Sequence, residues 1–418
     1  MEYKKIINDN YTIHFINTNR FKTVSIVIFL TKEFNKDDIP YGKLLTQNLL
    51  YTSKKYNTKD KMAGVVEDLY GTKVSIFYGM TGQCNSYAMS LDLLNPKYID
   101  KKYLKKCIKY FEEVLFNPNI ADNHFNDEYF EMLKEDAISS VKAVKDNPMT
   151  YGGIKYAELM YKGTPGEYSL FPEVEDLENI DSYKLYEYYK TLFDGSYKVD
   201  IAILGDVDTS IIDELKPILK QIKGNNKKLR FTIEHKYNNK LIEKVDSLPF
   251  NQSRLYIGYR LLNMNFHELN HVLRVYNTIL GTMNDSILFN IVREKNSLCY
   301  SIGSYYSRYN PSLTIYAGIN KKNYEKTVEL IKKCVESMSD KKAVERLFDS
   351  AKKTINTFIN NYYDDLSAQI DTYYNREFET IEDIETLREN VNNVTIDEVI
   401  NLNSKISLST IYLLKGDN

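Results

Sequence analysis

The chain repeats one order of structural elements, and this repeat restricts its fold more than any other feature of its 418 residues. A segment around Tyr98 and Cys107 recurs around Tyr324 and Cys334, at offsets of 226 and 227 residues, each time within a lysine-rich predicted helix. Because the offset is almost constant, the two segments occupy equivalent places in two copies of one supersecondary unit. The sequence therefore predicts two similarly folded halves.

Each copy reads as two strands followed by helices and a closing strand. Runs of alternating or continuous apolar residues predict these strands, which open at Val74 and Tyr300, cover 86–93 and 312–319, and close each copy over 200–204 and 410–414. We therefore predict the α+β fold class, with two homologous domains that are each a mostly antiparallel sheet backed by helices. We expect the two domains to face each other as a clamshell, with the free sheet faces lining a shared cavity.

The domain boundaries follow from the repeat and from a change in composition. A lysine- and asparagine-rich stretch over 220–246 is the predicted linker. It separates a first domain over 1–219 from a second domain over 247–418. The first domain is expected to open with a hairpin of two strands, over 11–18 and 21–32.

Composition and charge exclude several classes of function. The 55 basic and 57 acidic residues leave a net charge of −2, without the basic block that nucleic-acid binding needs. No apolar run approaches the roughly 20 residues that span a bilayer, and the first residues contain no apolar signal segment. The four cysteines are widely spaced. We expect a cytoplasmic protein with no nucleic-acid or membrane partner.

One motif with possible metal chemistry runs from His267 to His271 and reads H-E-x-x-H. In zincins such histidines bind zinc and the glutamate, here Glu268, activates water. At about 100° per residue, however, the apolar stripe of this predicted helix lies opposite both histidines, so they should face solvent. No third ligand follows at a recognisable spacing. An autonomous metallopeptidase that uses His267, Glu268 and His271 is kept as an alternative.

A second motif covers residues 281–300: a helix ends at Gly281, a polar turn follows, a second helix runs through Arg293, and a strand starts near Tyr300. Together with the duplicated halves and their closing Gly-Asp strands, it resembles the insulinase/pitrilysin peptidases, or inverzincins, which carry an arginine and a tyrosine at this spacing. Residues 67–71 and 293–300 are most similar to the subgroup associated with modification of elongation factor P.

The resemblance implies a zinc motif, H-x-x-E-H, on the first long helix, and a further glutamate ligand on a later helix. Leu44 and Asn48 stand at the two histidine positions of this chain, Gln47 stands at the general base, and Ser139-Ser140 stand at the later glutamate. Leucine offers no lone pair, and glutamine cannot take a proton from water near neutral pH. We therefore predict no zinc and no other cofactor in this chain.

Arg293 and Tyr300 remain although the zinc ligands are gone. The resemblance implies that they reach a peptide held at zinc, where a tyrosine hydroxyl can donate to an oxyanion and an arginine can hold a carbonyl. The main hypothesis is a subunit inactive alone, which supplies both residues to a homologous zinc-binding partner that processes a peptide substrate.

Two alternatives to the main hypothesis remain. One is the autonomous metallopeptidase described above, and the other is a non-enzymatic homologue that binds peptides or acts as a scaffold. In that case, Arg293 could persist as a cation at a helix C-terminus and Tyr300 as a half-buried strand residue.

Overall fold

The computed structural model of the chain describes residues 2–234 and 240–417. Its strands are β1 (Glu2–Ile7), β2 (Thr12–Asn17), β3 (Thr23–Glu33), β4 (Lys73–Thr81), β5 (Cys84–Leu94), β6 (Ile120–Ala121), β7 (His124–Phe125), β8 (Lys198–Gly205), β9 (Ile242–Ser247), β10 (Ser253–Leu261), β11 (Cys299–Ser307), β12 (Ser312–Ile319) and β13 (Ile406–Lys415).

Its α-helices are α1 (Asp38–Tyr51), α2 (Lys59–Asp68), α3 (Lys101–Phe116), α4 (Asp127–Lys142), α5 (Pro148–Met160), α6 (Val174–Glu178), α7 (Ser182–Lys190), α8 (Ile211–Glu214), α9 (Lys216–Leu219), α10 (Leu273–Asn277), α11 (Tyr324–Glu336), α12 (Lys341–Asn361), α13 (Leu366–Asn375), α14 (Ile384–Asn393) and α15 (Ile396–Leu402). Three π-helical segments cover Glu268–Val272, Thr278–Thr282 and Phe289–Lys295. Among the described residues, no helix combines the length and apolar character that crossing a bilayer requires.

Contacts within the chain define two compact units, and each unit is built from three separate segments. Unit 1 consists of Met1–Val144, Ser169–Phe231 and Asp364–Thr380. Unit 2 consists of Lys145–Tyr168, Thr232–Tyr363 and Ile381–Asn418.

The sheet of unit 1 has the strand order β1-β2-β8-β3-β5-β4. All neighbouring strands are antiparallel except β2 and β8, which run parallel. One face packs against the helices of unit 1 in a core that includes Leu44, Phe111 and Phe130. The expected opening hairpin is wrong, because the two strands form but β8 lies between them.

The sheet of unit 2 has the order β11-β12-β10-β13-β9, and its only parallel pair among the described strands is β13 with β9. This order repeats β4-β5-β3-β8-β2 of unit 1, strand for strand and direction for direction. The 3₁₀-helical turns that follow β5 and β12 also begin alike, since Asn95 and Asn320 accept hydrogen bonds from the backbone N–H groups of Lys97 and Lys322. The predicted α+β class and the duplication are confirmed.

Each unit contains one helix from the opposite half of the sequence. Helix α13 packs on β8 of unit 1, where the Tyr374 hydroxyl lies 2.6 Å from Thr31 Oγ1 and its ring stacks on Phe29. Helix α5 packs on β10 and β13 of unit 2, where the Tyr156 hydroxyl lies 2.8 Å from Thr314 Oγ1. The sheet faces that were expected to be free are thus partly covered.

A glycine permits the close approach of α5. A Cβ atom at Gly258 of β10 would lie 2.3 Å from the Tyr156 hydroxyl, so only glycine fits between this helix and the sheet. The predicted boundaries at 219 and 246 mark the duplication along the sequence, and they stay a prediction. Part of the predicted linker lies outside the described residues, and its last residues, from Ile242, form β9.

Candidate functional site

The three positions predicted to correspond to the family's H-x-x-E-H motif lie on α1 of unit 1. Leu44 is fully buried in the core of that unit, and Asn48 is also buried. The Asn48 amide donates a hydrogen bond to the Leu44 carbonyl at 2.9 Å, so it is used within its own helix. The Gln47 side-chain oxygen is buried, and no described residue donates a hydrogen bond to it. None of these three side chains is an imidazole, thiolate or carboxylate, the ligand types that bind zinc.

An aromatic ring is packed directly against this helix. A Cβ atom at Gly42 would lie 2.4 Å from the ring of Tyr78 on β4, so glycine is needed there for the ring to fit. Burial raises the pKa of Tyr78 well above its usual value, and its hydroxyl has no hydrogen-bond partner among the described residues. The face of α1 beside the predicted zinc-motif positions is therefore covered by the uncharged side chain of Tyr78.

The later glutamate position falls on α4. Ser139 is exposed, and the Ser140 hydroxyl donates to the Ala137 carbonyl at 2.8 Å. Within 2–234 and 240–417, no group of three or more His, Cys, Asp or Glu side chains is placed to hold a metal ion. The residues at the positions that the resemblance predicts for zinc ligands do not fit zinc.

Arg293 lies in unit 2, on the π-helical segment Phe289–Lys295. Its guanidinium stacks over the Phe289 ring at 4.7 Å, and its Nε lies 3.7 Å from Glu294 Oε1. The side chain is partly exposed. Burial raises the pKa of the Cys299 thiol to about 11, and the positive charge of Arg293 acts against this rise, which places the guanidinium near the start of β11.

Tyr300 is the second residue of β11, which is an edge strand. Cys299 pairs with Ile319 while Ser301 pairs with Gly318, so Tyr300 is the extra residue of a β-bulge. Bulges change the direction of a side chain and are common beside active sites. The Tyr300 side chain is 71% exposed, not half-buried. Arg293 precedes and Tyr300 follows the short turn at Ser297, which adopts a positive φ of 51°.

The H-E-x-x-H motif differs from the expectation. His271 is only 2% exposed, so the prediction that both histidines face solvent is wrong, and His267 is 41% exposed. The segment Glu268–Val272 is π-helical, which changes the angle per residue on which the prediction rested. Two carboxylates contact these histidines, Glu398 at His267 and Glu382 at His271, and both lie more than a hundred residues further along the chain.

All four ring nitrogens of the two histidines are engaged. The two Nδ1 atoms lie 3.0 Å apart, His267 Nε2 lies 2.9 Å from Glu398, and His271 Nε2 lies 2.6 Å from Glu382. Three hydrogen bonds need three protons, whereas two neutral imidazoles supply two, so the row is complete only with one additional proton. We refer to these four side chains as the His–Glu row.

Glu268 is not free to act as a base. Its carboxylate forms an ion pair with Lys405, with both oxygens 2.7 Å from the lysine Nζ. Although burial acts to raise the pKa of Glu268, the bonds from Lys405 and from the Asn265 N–H hold it below its usual value. The motif therefore serves to join this helix to Glu382, which precedes α14, and to Glu398 of α15, rather than to present ligands.

Three features at these sites could not be read from the sequence. Nothing in the spacing around Gly42 indicates that Tyr78 contacts it, since the two belong to different elements. The bulge at Tyr300 appears only when the strand is paired with β12. The apolar stripe at a period of 3.6 residues does not distinguish an α-helix from one with π-helical turns.

Comparisons with known proteins agree with this geometry. Residues 179–355 match the model of the peptidase M16 inactive domain. The probable inactive metalloprotease YmfF of Bacillus subtilis is 28% identical over 411 residues, covering 97% of this chain and 96% of that protein. The uncharacterised zinc protease YmxG of the same organism is 26% identical over 245 residues, and this match covers 54% of this chain and 59% of that protein.

A solved structure extends the agreement to the whole fold. The crystal structure of a conserved protein from Enterococcus faecalis V583 superposes with a TM-score of 0.92 at 23% identity, covering 99% of each chain. The resemblance predicted from the Arg/Tyr motif and the duplication is thus confirmed, since residues 179–355 match the peptidase M16 inactive domain and nearly the whole chain is similar to a probable inactive metalloprotease.

Proposed function

We propose that this chain is a zinc-free subunit of a heterodimeric M16 peptidase, and that it supplies Arg293 and Tyr300 to the zinc site of a homologous partner. The residues at positions 44, 47, 48 and 139–140 support the first half of the proposal, because they lack the chemistry of ligands and base. The chain alone is then inactive, and cleavage of a peptide requires the partner's zinc.

The observation that carries the proposal is the exposure of Tyr300. A tyrosine retained for packing would be at least half-buried, whereas this side chain is 71% exposed on a bulge at an edge strand. Its hydroxyl is therefore available to a group outside the chain's own core. A tyrosine hydroxyl can donate to the oxyanion that develops when zinc-bound water attacks a peptide carbonyl.

Arg293 has a different role in the proposal. Its stacking on Phe289 fixes the guanidinium plane while leaving N–H groups available on its exposed side. Such a fork binds a carbonyl or carboxylate in the ground state as well as in the transition state. We therefore assign substrate positioning to Arg293 and stabilisation of the transition state to Tyr300.

The relatives are consistent with divided roles. One similar protein of Bacillus subtilis is described as a probable inactive metalloprotease and another as a zinc protease. The autonomous metallopeptidase is less well supported, since the nitrogens of His267 and His271 are already engaged and Glu268 is paired with Lys405. A purely scaffolding role is the alternative that an experiment must separate.

The location and the subgroup are proposals of the same kind. We place the protein in the cytoplasm, where its four cysteines, all buried free thiols, would remain reduced. The similarity of residues 67–71 and 293–300 to the subgroup associated with elongation factor P modification suggests where to look for the peptide substrate.

The test reconstitutes the chain with an M16 partner that carries H-x-x-E-H. Activity should appear only in the mixture, with zinc bound by the partner. Tyr300→Phe should lower kcat by roughly ten- to a thousandfold without affecting assembly, since the hydroxyl acts in the transition state. Arg293→Ala should mainly raise KM. Tyr305→Phe, which removes a hydroxyl from the same strand, is the matched control and should change little.

Two outcomes would count against the proposal. If both variants assemble and cleave at the rate of the unaltered pair, the chain is a scaffold. If the isolated chain binds zinc in equimolar amounts and cleaves peptides, it needs no partner, and His267→Ala with His271→Ala would identify the ligands.

A further inference from the structure

Strand β9 leaves one edge of the unit 2 sheet open. It pairs with β13 on one side, and none of the described strands lies on its other side. The strand is exposed along most of its length, and Val245 at its centre is 50% exposed. An exposed edge of this kind can pair with another chain.

The direction of the backbone groups can be assigned. In a parallel pair, alternate residues direct both their N–H and their C=O toward the neighbouring strand. The Leu248 N–H donates to the Lys415 carbonyl, so the even-numbered residues of β9 point toward β13. The backbone N–H and C=O groups of Glu243, Val245 and Ser247 therefore point outward from the open edge.

Unit 1 contains the same edge in a covered form. Strand β2 is the counterpart of β9, since each runs parallel to the closing strand of its unit. The outer edge of β2 is occupied by β1, which pairs with it in antiparallel direction over Glu2–Ile7. The repeated fold thus accepts an antiparallel strand at this position, and in unit 2 no described strand fills it.

The sequence of β9 favours a second copy of itself as that strand. When two antiparallel strands are related by a two-fold axis, residues whose backbone groups point outward pair with residues of the same kind in the other copy. One residue of β9 must therefore pair with its own copy, and the axis passes between these two residues. The registers that pair five residues of β9 place the axis at Lys244 or at Val245. The first would set two lysines against each other.

The second register is complementary. With Val245 on the axis, the two valines face each other, and Lys244 of each copy lies opposite Asp246 of the other. Lys244 and Asp246 already share a face of the sheet, with Lys244 Nζ 3.3 Å from Asp246 Oδ2. Opposite charges directly across an antiparallel pair stabilise it, whereas like charges destabilise it. The charges thus select one register.

We propose that β9 is a self-association site, at which two copies of this chain pair their β9 strands antiparallel about Val245. The contact involves one short strand from each copy, so the dimer should be concentration-dependent. This proposal does not depend on the zinc-binding partner, because neither Arg293 nor Tyr300 lies on β9.

Complementary charge variants test the proposal in the full chain. Lys244→Glu places glutamate opposite Asp246, and Asp246→Lys places lysine opposite Lys244, at both ends of the symmetric contact. Sedimentation velocity should show self-association for the parent chain and about tenfold weaker self-association for each variant alone. An equimolar mixture of the two variants should associate at close to the parent affinity, because each contact then joins opposite charges.

A backbone variant provides a second measurement. Val245→Pro removes an N–H that points away from β13, so it should abolish association while leaving the fold intact, as proline is tolerated at edge strands. The proposal is overturned if the parent chain is monomeric at high concentration or if mixing the charge variants restores nothing. It is also overturned if the β9 amides become protected from hydrogen exchange only after a zinc-binding M16 partner is added.

Discussion

The two histidines of the H-E-x-x-H motif should differ sharply in their contribution to stability. We consider His271→Phe, which keeps an aromatic ring of similar size in the buried position but removes both ring nitrogens. The matched control is His267→Phe, four residues away on the same helix and 41% exposed. Both substitutions remove members of the His–Glu row, so the difference between them reports burial.

The magnitude follows from the contacts. His271 makes hydrogen bonds of 2.6 Å to Glu382 and 3.0 Å to His267, and Glu382 is mostly shielded from solvent. Hydrogen bonds to charged groups contribute about 1.5–3 kcal/mol, and the largely buried Glu382 carboxylate, which would keep its bond from the Asn390 amide but lose its bond to the imidazole, adds a desolvation cost. We expect His271→Phe to lower the free energy of unfolding by roughly 2–4 kcal/mol. Because His267 and Glu398 are both substantially exposed, the control should lose only about 1 kcal/mol.

Urea unfolding followed by far-UV circular dichroism and tyrosine fluorescence measures both values, since the chain has 36 tyrosines and no tryptophan. The midpoint should fall much further for His271→Phe than for His267→Phe, at unchanged zinc content. Equal losses in the two variants, or a larger loss for His267→Phe, would refute the structural role assigned to the buried histidine.

Three further predictions concern other parts of the chain. Introducing H-x-x-E-H by Leu44→His, Gln47→Glu and Asn48→His should destabilise unit 1 by about 2–5 kcal/mol, because the new imidazoles enter an apolar core. Calorimetry should show this loss of stability, and metal analysis should show that the variant binds no zinc. The pKa of Glu268 is held below its usual value, so Glu268→Gln should cost up to about 1 kcal/mol at pH 7. Urea unfolding should show this difference shrinking as the pH falls below the usual glutamate pKa and vanishing once the pH is below the lowered pKa of the folded state. Limited proteolysis, read by mass spectrometry, should cut first within the predicted linker over 220–246; early cuts elsewhere in the chain would contradict that prediction.

Much of the fold could be read from the sequence because strand patterns repeat. The predicted strand over 312–319 coincides with β12, and the run over 410–414 lies within β13. Such strands are recognisable because local apolar patterns suffice to define them. The strand order was less accessible: β8 enters between β2 and β3 from far along the chain, and no local pattern encodes that insertion.

The candidate site was predictable as chemistry but not as geometry. The residue types at 44, 47 and 48 are enough to exclude zinc ligands, whatever the packing. By contrast, the burial of His271 depends on Glu382, which lies more than a hundred residues further along the chain, and on a π-helical turn that shifts the direction of the histidine. Long-range pairing decides such features, and a single sequence does not report it.

The exchange of α5 and α13 between the two units has a consequence for synthesis of the chain. On the ribosome, the sheet of unit 1 is complete once residue 205 has emerged, but the helix that covers Phe29 and Thr31 follows only with residues 366–375. At ordinary elongation rates of about 5–20 residues per second, this interval lasts on the order of ten seconds. We expect the nascent first half to expose the sheet face that carries Phe29 throughout that time and to be a substrate for ribosome-associated chaperones, whereas the second half, which meets α5 already made, is not delayed in this way.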